Sequence, residues 1–350
     1  MKQPDSLDVI ATPSPQFSAA RVRRFVGEEY GLDGEFDPLV SERDQNFRLV
    51  TADKSRYVVK IANAAEEWAV TDFQIQALLH LESKACRVVV PSMVRTLDGK
   101  LTTTLSSDDR PHTLRVVTYV AGRPLEDVVP DERLAQDLGA CVADLDIALS
   151  DFEHPGDSQL LLWDMQRASE LRGLMSHITD SHLRETVSGC LDDFEQNAAP
   201  EFASLRSQVI HSDINPGNVL VTKSEPASIA GVIDFGDMVR APLIIDVAIA
   251  AAYLRSDAED ALAQMIAFVV GFDGVTSLED NELALLYDLT RMRLATTITM
   301  LYWRLSARAE GDDYTRRSLQ TEGRSERFLA RINGTTREQF SDRIRLACGR

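Results

Sequence analysis

The chain lacks a long apolar run, paired cysteines and a surplus of basic residues, and each absence removes a class of protein. The longest apolar candidate, 241–254, is interrupted by Pro242 and Asp246, too short and too broken to span a bilayer. The N-terminus carries no apolar signal core. Cys86, Cys141, Cys190 and Cys348 show no paired spacing and no histidine-rich company. They read as reduced, mostly buried thiols of a cytoplasmic protein, neither a disulfide framework nor a zinc site. Lys and Arg number 37 against 55 Asp and Glu, a net charge of −18. That balance argues against a nucleic-acid partner, whose phosphates require clustered Lys and Arg. It suits a cationic small substrate, although a solvated acidic surface is the plainer reading. No internal repeat or low-complexity tract appears, and nothing marks an oligomeric state.

What is present is enough for a large core: 350 residues, 44% of them hydrophobic, imply one large domain or two lobes. Residues 1–16 read as a loose arm. A short helix is expected over 18–30, capped by Ser18 and ended by Gly31. The runs 46–50 and 57–61 flank the turn 52–55 and predict a hairpin. A helix follows over about 65–80, and 88–91, 101–105 and 114–120 complete a sheet. From Asp131 the apolar period becomes helical, with Leu134, Leu138, Val142, Leu145 and Leu149 on one face. Further helices are expected at 159–177, 181–197, 245–254, 258–269, 279–306 and 323–333. The fold class is therefore α+β, with a sheet-rich N-terminal lobe over 1–117 and a helical C-terminal lobe over 118–350. The segment 118–124, with Gly122 and Pro124 next to an extended stretch, marks a hinge.

The segment 209–221, Val-Ile-His-Ser-Asp-Ile-Asn-Pro-Gly-Asn-Val-Leu-Val, carries the chemistry. It places Asp213, and Asn218 five residues later, on a loop that enters an apolar strand. The return segment 229–237 contains Ile233-Asp234-Phe235-Gly236-Asp237. If the two apolar runs pair antiparallel, Asn218 and Asp234 lie side by side with Asp213 just ahead. A carboxylate that accepts a hydroxyl proton, beside an amide oxygen and a second carboxylate that hold magnesium, is what nucleotide-dependent phosphoryl transfer requires. His211-x-Asp213-x4-Asn218 followed by Asp234-Phe235-Gly236 matches kinase catalytic-loop and magnesium-loop signatures in order and spacing. On this pattern Asp213 and His211 are the candidate catalytic residues.

Lys60, in Val-Val-Lys-Ile, resembles the kinase strand lysine that reaches nucleotide phosphates. The loop before it, 40–47, has no Gly-x-Gly-x-x-Gly. Ser41 and the turn amides can cap phosphate oxygens there, and Arg43 can add charge. Asp72, Gln74, Glu66 and Glu67 are all placed to partner Lys60. The purine is expected on the backbone near Thr118 and Val120, which leaves ATP and GTP both open as donors.

Together these motifs resemble the aminoglycoside phosphotransferase family, a branch of the bilobal protein-kinase-like fold, from about residue 17 to 310. Within it, 41–47, the helix residues 72–74 and 234–239 look most like the hydroxylysine kinase group. That resemblance implies transfer to the hydroxyl of a hydroxylated amino acid or amine, and the group's characterised activity uses GTP. The family usually has Gly where Ser212 stands. Asp246 matches a family Asp that buttresses the catalytic region, and can equally cap its own helix. A zwitterionic acceptor needs an acid for its amine: Asp237 is the best placed, with Asp288 a helical alternative. Trp163, Asp164, Arg291, Tyr302 and Trp303 are further candidates for the acceptor side. An aminoglycoside 3'-type phosphotransferase and a nucleotide-binding pseudokinase are the competing readings. Retention of Lys60, Asp213, Asn218 and Asp234 weighs against the second.

Overall fold

A computed structural model describes residues 12–41, 43–107, 110–307 and 323–350, and the chain divides into two compact units. The first takes in the chain through Ala85, then Val90–Val120 and His154–Leu160; the second holds Cys86–Val89, Ala121–Glu153 and Leu161–Arg350. The division thus falls after Val120, three residues past the sequence-based boundary, and two short segments change sides. Most of the expected loose arm lies outside the described residues.

In the first unit, α1 (Ala19–Tyr30) starts where the Ser18 hydroxyl accepts the Arg21 amide, and stops at Gly31, whose φ is 67°. A left-handed residue there suits glycine, which has no Cβ to clash. Six antiparallel strands follow: β1 (Gly34–Leu39), β2 (Gln45–Thr51), β3 (Arg56–Ile61), β4 (Met93–Val94), β5 (Thr103–Ser107) and β6 (Arg110–Thr118). They run in the order β1-β2-β3-β6-β4, with β5 also on β6. The expected β2–β3 hairpin forms, its turn holding Lys54 at φ 68°. One face of the sheet buries Phe47, Leu49, Val59, Ile61, Leu114 and Val116 with Val22, Val26 and Tyr30 of α1.

The other side chains of β3 alternate away from this core, as the pleat requires. Asn46, Lys60 and Arg115 are directly opposite one another across β2, β3 and β6 and so share that second face. The helix α2 (Trp68–Glu82) supplies Gln74, which accepts from the buried Arg115 guanidinium. Strand β1 escaped the sequence reading. It is an exposed edge, paired only with β2, where Asp37 and Pro38 are tolerated because no neighbour needs the missing amide. The run 88–91 is not a sheet strand. Val89 makes a single parallel bridge to Gly231 in the second unit, and the strand forms later, at β4.

In the second unit, β7 (Arg123–Pro124), β9 (Val219–Val221) and β10 (Ile229–Val232) make one small sheet; β8 (Ser207–Ile210) and β11 (Val239–Pro242) make another. The helices are α3 (Glu132–Leu149), α4 (Ser181–Asp193), α5 (Ile244–Tyr253), α6 (Ala263–Asp273), α7 (Asp280–Ala307), α8 (Arg324–Asn333) and α9 (Arg337–Ala347). α3 and α6 approach backbone to backbone. A Cβ on Gly139 would sit 1.9 Å from the Phe268 carbonyl oxygen, so only glycine permits this contact.

The expected helix 159–177 is shorter and tighter, a 3₁₀ segment over Met165–His177 capped by Asp164 and broken at Arg167 (φ −110°). The helix expected at 258–269 forms five residues later, as α6. α9 was not anticipated, although its start carries a legible signal. The Thr336 hydroxyl accepts the Gln339 amide while the Gln339 side chain accepts the Thr336 amide. Among the described residues, no helix is long and apolar enough to cross a membrane, and all four cysteines are unpaired. Burial pushes the thiols of Cys141 up to about 12 and Cys190 up to about 11.

Candidate active site

The loop between β8 and β9 is built by its own polar residues. Asn215 folds it: its side-chain oxygen accepts the amides of Gly217 (2.8 Å) and Asn218 (3.2 Å), an Asx turn of the kind an Asn-Pro-Gly sequence favours. β9 and β10 pair antiparallel with Val219 opposite Val232, and the Ile233 amide donates to the Asn218 carbonyl at 2.9 Å. Asn218 is thereby brought beside Asp234, as the hairpin reading required. Asp234 itself turns the chain with φ 64° and is solvent-exposed.

Asp213 is held from three sides. One carboxylate oxygen accepts the side-chain amides of Asn215 (2.8 Å) and Asn218 (2.7 Å); the other faces the Arg293 guanidinium of α7 at 3.3 Å. Arg293 also donates to the Tyr253 hydroxyl at 3.2 Å. Because Asn218 points its NH2 group at Asp213, its side-chain oxygen is left as the group that can meet a cation. Burial pushes the Asp213 carboxyl up to about 8, Asp237 and Asp234 add repulsion, and Arg293 and the Asn215 amide oppose the rise. The carboxylate side chain still keeps 19% of its surface exposed. Asp237 accepts the indole N–H of Trp163 at 3.0 Å, and the Arg304 guanidinium lies 5.9 Å from that ring.

His211 does a different job from the one the motif suggested. It is fully buried, and both ring nitrogens are used. Nδ1 accepts the Asp213 amide at 3.3 Å, so Nε2 carries the proton and donates to the Ile233 carbonyl at 3.1 Å. His211 therefore ties the catalytic loop to the strand that delivers Asp234, and does not present a nitrogen to a substrate. Asp246 buttresses the same loop as expected, accepting the amides of His211 (3.1 Å) and Ser212 (2.8 Å). Ser212 has φ 64°, which explains why glycine would be the easier residue there.

Several candidates are placed elsewhere. Asp288 is buried on α7 and bound to Arg337 of α9 at 2.7 Å. At 100° per residue, five positions separate Asp288 and Arg293 by about 140° on the helix, so only Arg293 can face Asp213. Arg291 pairs with Asp193 and Asn333, and Tyr302 donates to Glu326. Asp164 caps the 3₁₀ segment, its carboxyl raised by burial. In the first unit, Gln74 serves Arg115, and Asp72 meets His154 and Gln76. Glu66 is half-buried, its carboxyl raised by desolvation and then by Asp44, with its oxygen taking the Thr71 hydroxyl. The loop 40–47 is anchored by its own residues. Ser41 accepts the Asp44 amide (3.3 Å), Asp44 the Asn63 amide (3.1 Å), and Gln45 exchanges two hydrogen bonds with the Phe17 backbone. The Thr118 amide is spent on the Ser92 carbonyl and the Tyr119 amide on the Arg56 carbonyl.

Asn215, Arg293, Tyr253, Arg115 and Asp146 were not found by sequence reasoning. Asn215 was within reach, since it sits in the motif itself. The others lie far along the chain, and nothing local marks them.

Comparison with known proteins gives a consistent picture. Hydroxylysine kinase from Mus musculus is 26% identical over 326 residues, covering 87% of each chain. That from Bos taurus is 24% identical over 336 residues, covering 90% of this chain and 89% of its own. Among solved structures, an amicoumacin kinase in complex with AMP-PNP, Ca2+ and Ami superposes with a TM-score of 0.68 at 16% identity, over 92% of this chain and 97% of the other. A microcompartment-associated aminopropanol kinase gives 0.64 at 15%, over 91% and 98%. These structural likenesses establish the kinase-like fold. The profile of the phosphotransferase enzyme family matches residues 36–278, more than half of the chain, and the protein belongs to that family.

Proposed function

We propose that this phosphotransferase is a small-molecule kinase that moves the γ-phosphoryl group of ATP or GTP to the hydroxyl of a hydroxylated amino acid or amine, with hydroxylysine the leading acceptor. The observation that carries this reading is Asp213, partly exposed and held by Asn215, Asn218 and Arg293, on the loop whose Asn218 meets Ile233, the residue before Asp234. A carboxylate so fixed orients an attacking hydroxyl and takes its proton. Hydroxylysine kinases among the relatives, matched along most of their length, support the choice of acceptor.

Among the described residues no cluster of three or more His, Cys, Asp or Glu forms a metal site. The donor set still fits magnesium, which takes one or two protein oxygens and completes its shell with phosphate oxygens and water. The Asn218 side-chain oxygen and the exposed Asp234 carboxylate would hold it, in a region where Asp213, Asp234 and Asp237 concentrate negative charge. When bound, the ion neutralises charge on the phosphoryl group being transferred. Lys60, with Arg43 and Ser41 in the loop 40–47, is assigned to the phosphates, and the backbone around Thr118 and Val120 to the purine. Asp237 receives the acceptor's ammonium, with the Trp163 indole fixing the carboxylate. The guanidinium groups of Arg293 and Arg304 nearby suit a zwitterion better than a polycation. Free thiols fit a cytoplasmic setting.

Turnover with ATP and with GTP, measured against 5-hydroxylysine, homoserine, ethanolamine, choline and kanamycin, tests the proposal. Hydroxylysine is expected to be the best acceptor. Efficient turnover of kanamycin with none of hydroxylysine would replace this reading with a drug kinase. Turnover of homoserine alone would keep the mechanism and reject the acceptor.

A further inference from the structure

We propose that Asp146 carries a proton and donates it to Asp246, so that a buried carboxylic acid–carboxylate pair is the positioning element behind the catalytic loop. Both oxygens of Asp246 are committed to the loop, accepting the His211 and Ser212 amides at 3.1 and 2.8 Å. These are the two residues ahead of Asp213, so the place of Asp246 sets the place of the base. Asp146, on α3, is 1% exposed and lies in hydrogen-bond contact with Asp246. Neither of its oxygens meets a donor from the other described residues.

Two carboxylates offer each other only acceptors, and a hydrogen bond between them requires a proton. That proton belongs on Asp146. Asp246 has two backbone N–H groups to stabilise its charge, whereas Asp146 has none. The remaining neighbours do not change this. The Arg206 guanidinium is engaged by Glu282 at 2.7 and 2.8 Å, the Gln208 amide donates to the Asp146 backbone carbonyl at 2.6 Å, and the His211 ring spends both nitrogens on the loop. Burial, followed by the charge of Asp246, pushes Asp146 well above the usual carboxylate range, in the same direction. A carboxylic acid kept neutral by its surroundings serves here as a hydrogen-bond donor.

Only the turnover readout rests on the kinase reading; the other two readouts do not. Asp146→Asn supplies a permanent donor that cannot titrate, and Asp146→Ala supplies none. In the infrared difference between wild type and Asp146→Asn at neutral pH, a carboxylic acid C=O band that shifts in D2O should disappear. A raised native value means that wild-type stability falls as pH rises above the ordinary carboxylate range, and Asp146→Asn should remove that part of the slope. Turnover should drop at least about tenfold in Asp146→Ala, the cost of leaving a buried partner unpaired, and Asn should rescue it. No lost band, parallel stability profiles, or an Asn variant that fails as Ala does or does not fold would each overturn the proposal. Spectroscopic success without turnover on any acceptor would sink the kinase reading alone.

Discussion

Asp213→Asn should abolish most activity and yet stabilise the protein at neutral pH. A general base typically supplies two to four orders of magnitude in rate, so kcat should fall by about 10²- to 10⁴-fold, or roughly 3–5 kcal/mol of transition-state stabilisation. The stability change has two opposing parts. In the protein without nucleotide or magnesium, burial raises the Asp213 carboxyl to about 8 from an ordinary 3.8, so the native state binds more protons than the unfolded chain between those values, and stability falls as pH rises through that window. At pH 7 the cost to wild type reaches an upper limit of about 4 kcal/mol, and at pH 5 only about 1.5. Against this, Asn turns an NH2 group toward existing donors, either Arg293 or the amides of Asn215 and Asn218, at about 1–3 kcal/mol. The variant should therefore be more stable than wild type at pH 7 and lose that advantage at about pH 5. Chemical denaturation across pH, with kcat on the active acceptor, reads both effects. A variant that is equally destabilised at every pH, or that keeps near-normal turnover, would refute the assignment of Asp213 as a base with a raised carboxyl.

Asp234→Ala should remove the magnesium-dependent part of the thermal shift produced by ATP or GTP while the nucleotide-free Tm stays put; an unchanged shift would count against Asp234 as a ligand. Asp237→Asn should weaken binding of the amine acceptor by about 2 kcal/mol or more, the range for one side of a desolvated charge pair, with nucleotide affinity preserved. Equal weakening of both in titration calorimetry would show a structural role instead. Ser212→Gly should raise stability by about 1 kcal/mol, because a side chain at φ 64° carries strain that glycine lacks. A lower denaturation midpoint would mean that the buried hydroxyl matters more than the backbone.

The sequence by itself determined the hairpin that carries the candidate site. Asn215, Pro216 and Gly217 turn the loop that leads into β9, the apolar runs 219–221 and 229–232 pair across a short connection, and that pairing puts Asn218 beside Asp234, because all the contacts involved are local. The same holds for α1, bounded by Ser18 and Gly31, and for the β2–β3 hairpin that carries Lys60. Only the tertiary structure decided what surrounds them. His211 looks catalytic in a motif, and becomes a tie once both its nitrogens are seen to be used. Asp288 and Arg293 are equally plausible on a helix of 28 residues, until packing turns one toward Arg337 and the other toward Asp213. Gln74 looks like a partner for Lys60 until Arg115, 41 positions away, takes it. Asp146 gives no local sign at all; its meaning comes from meeting Asp246 across a hundred residues. Local spacing specifies which side chains share a turn or a strand pair, whereas the partners of buried charges come from distant segments, and their protonation follows from the burial that packing creates.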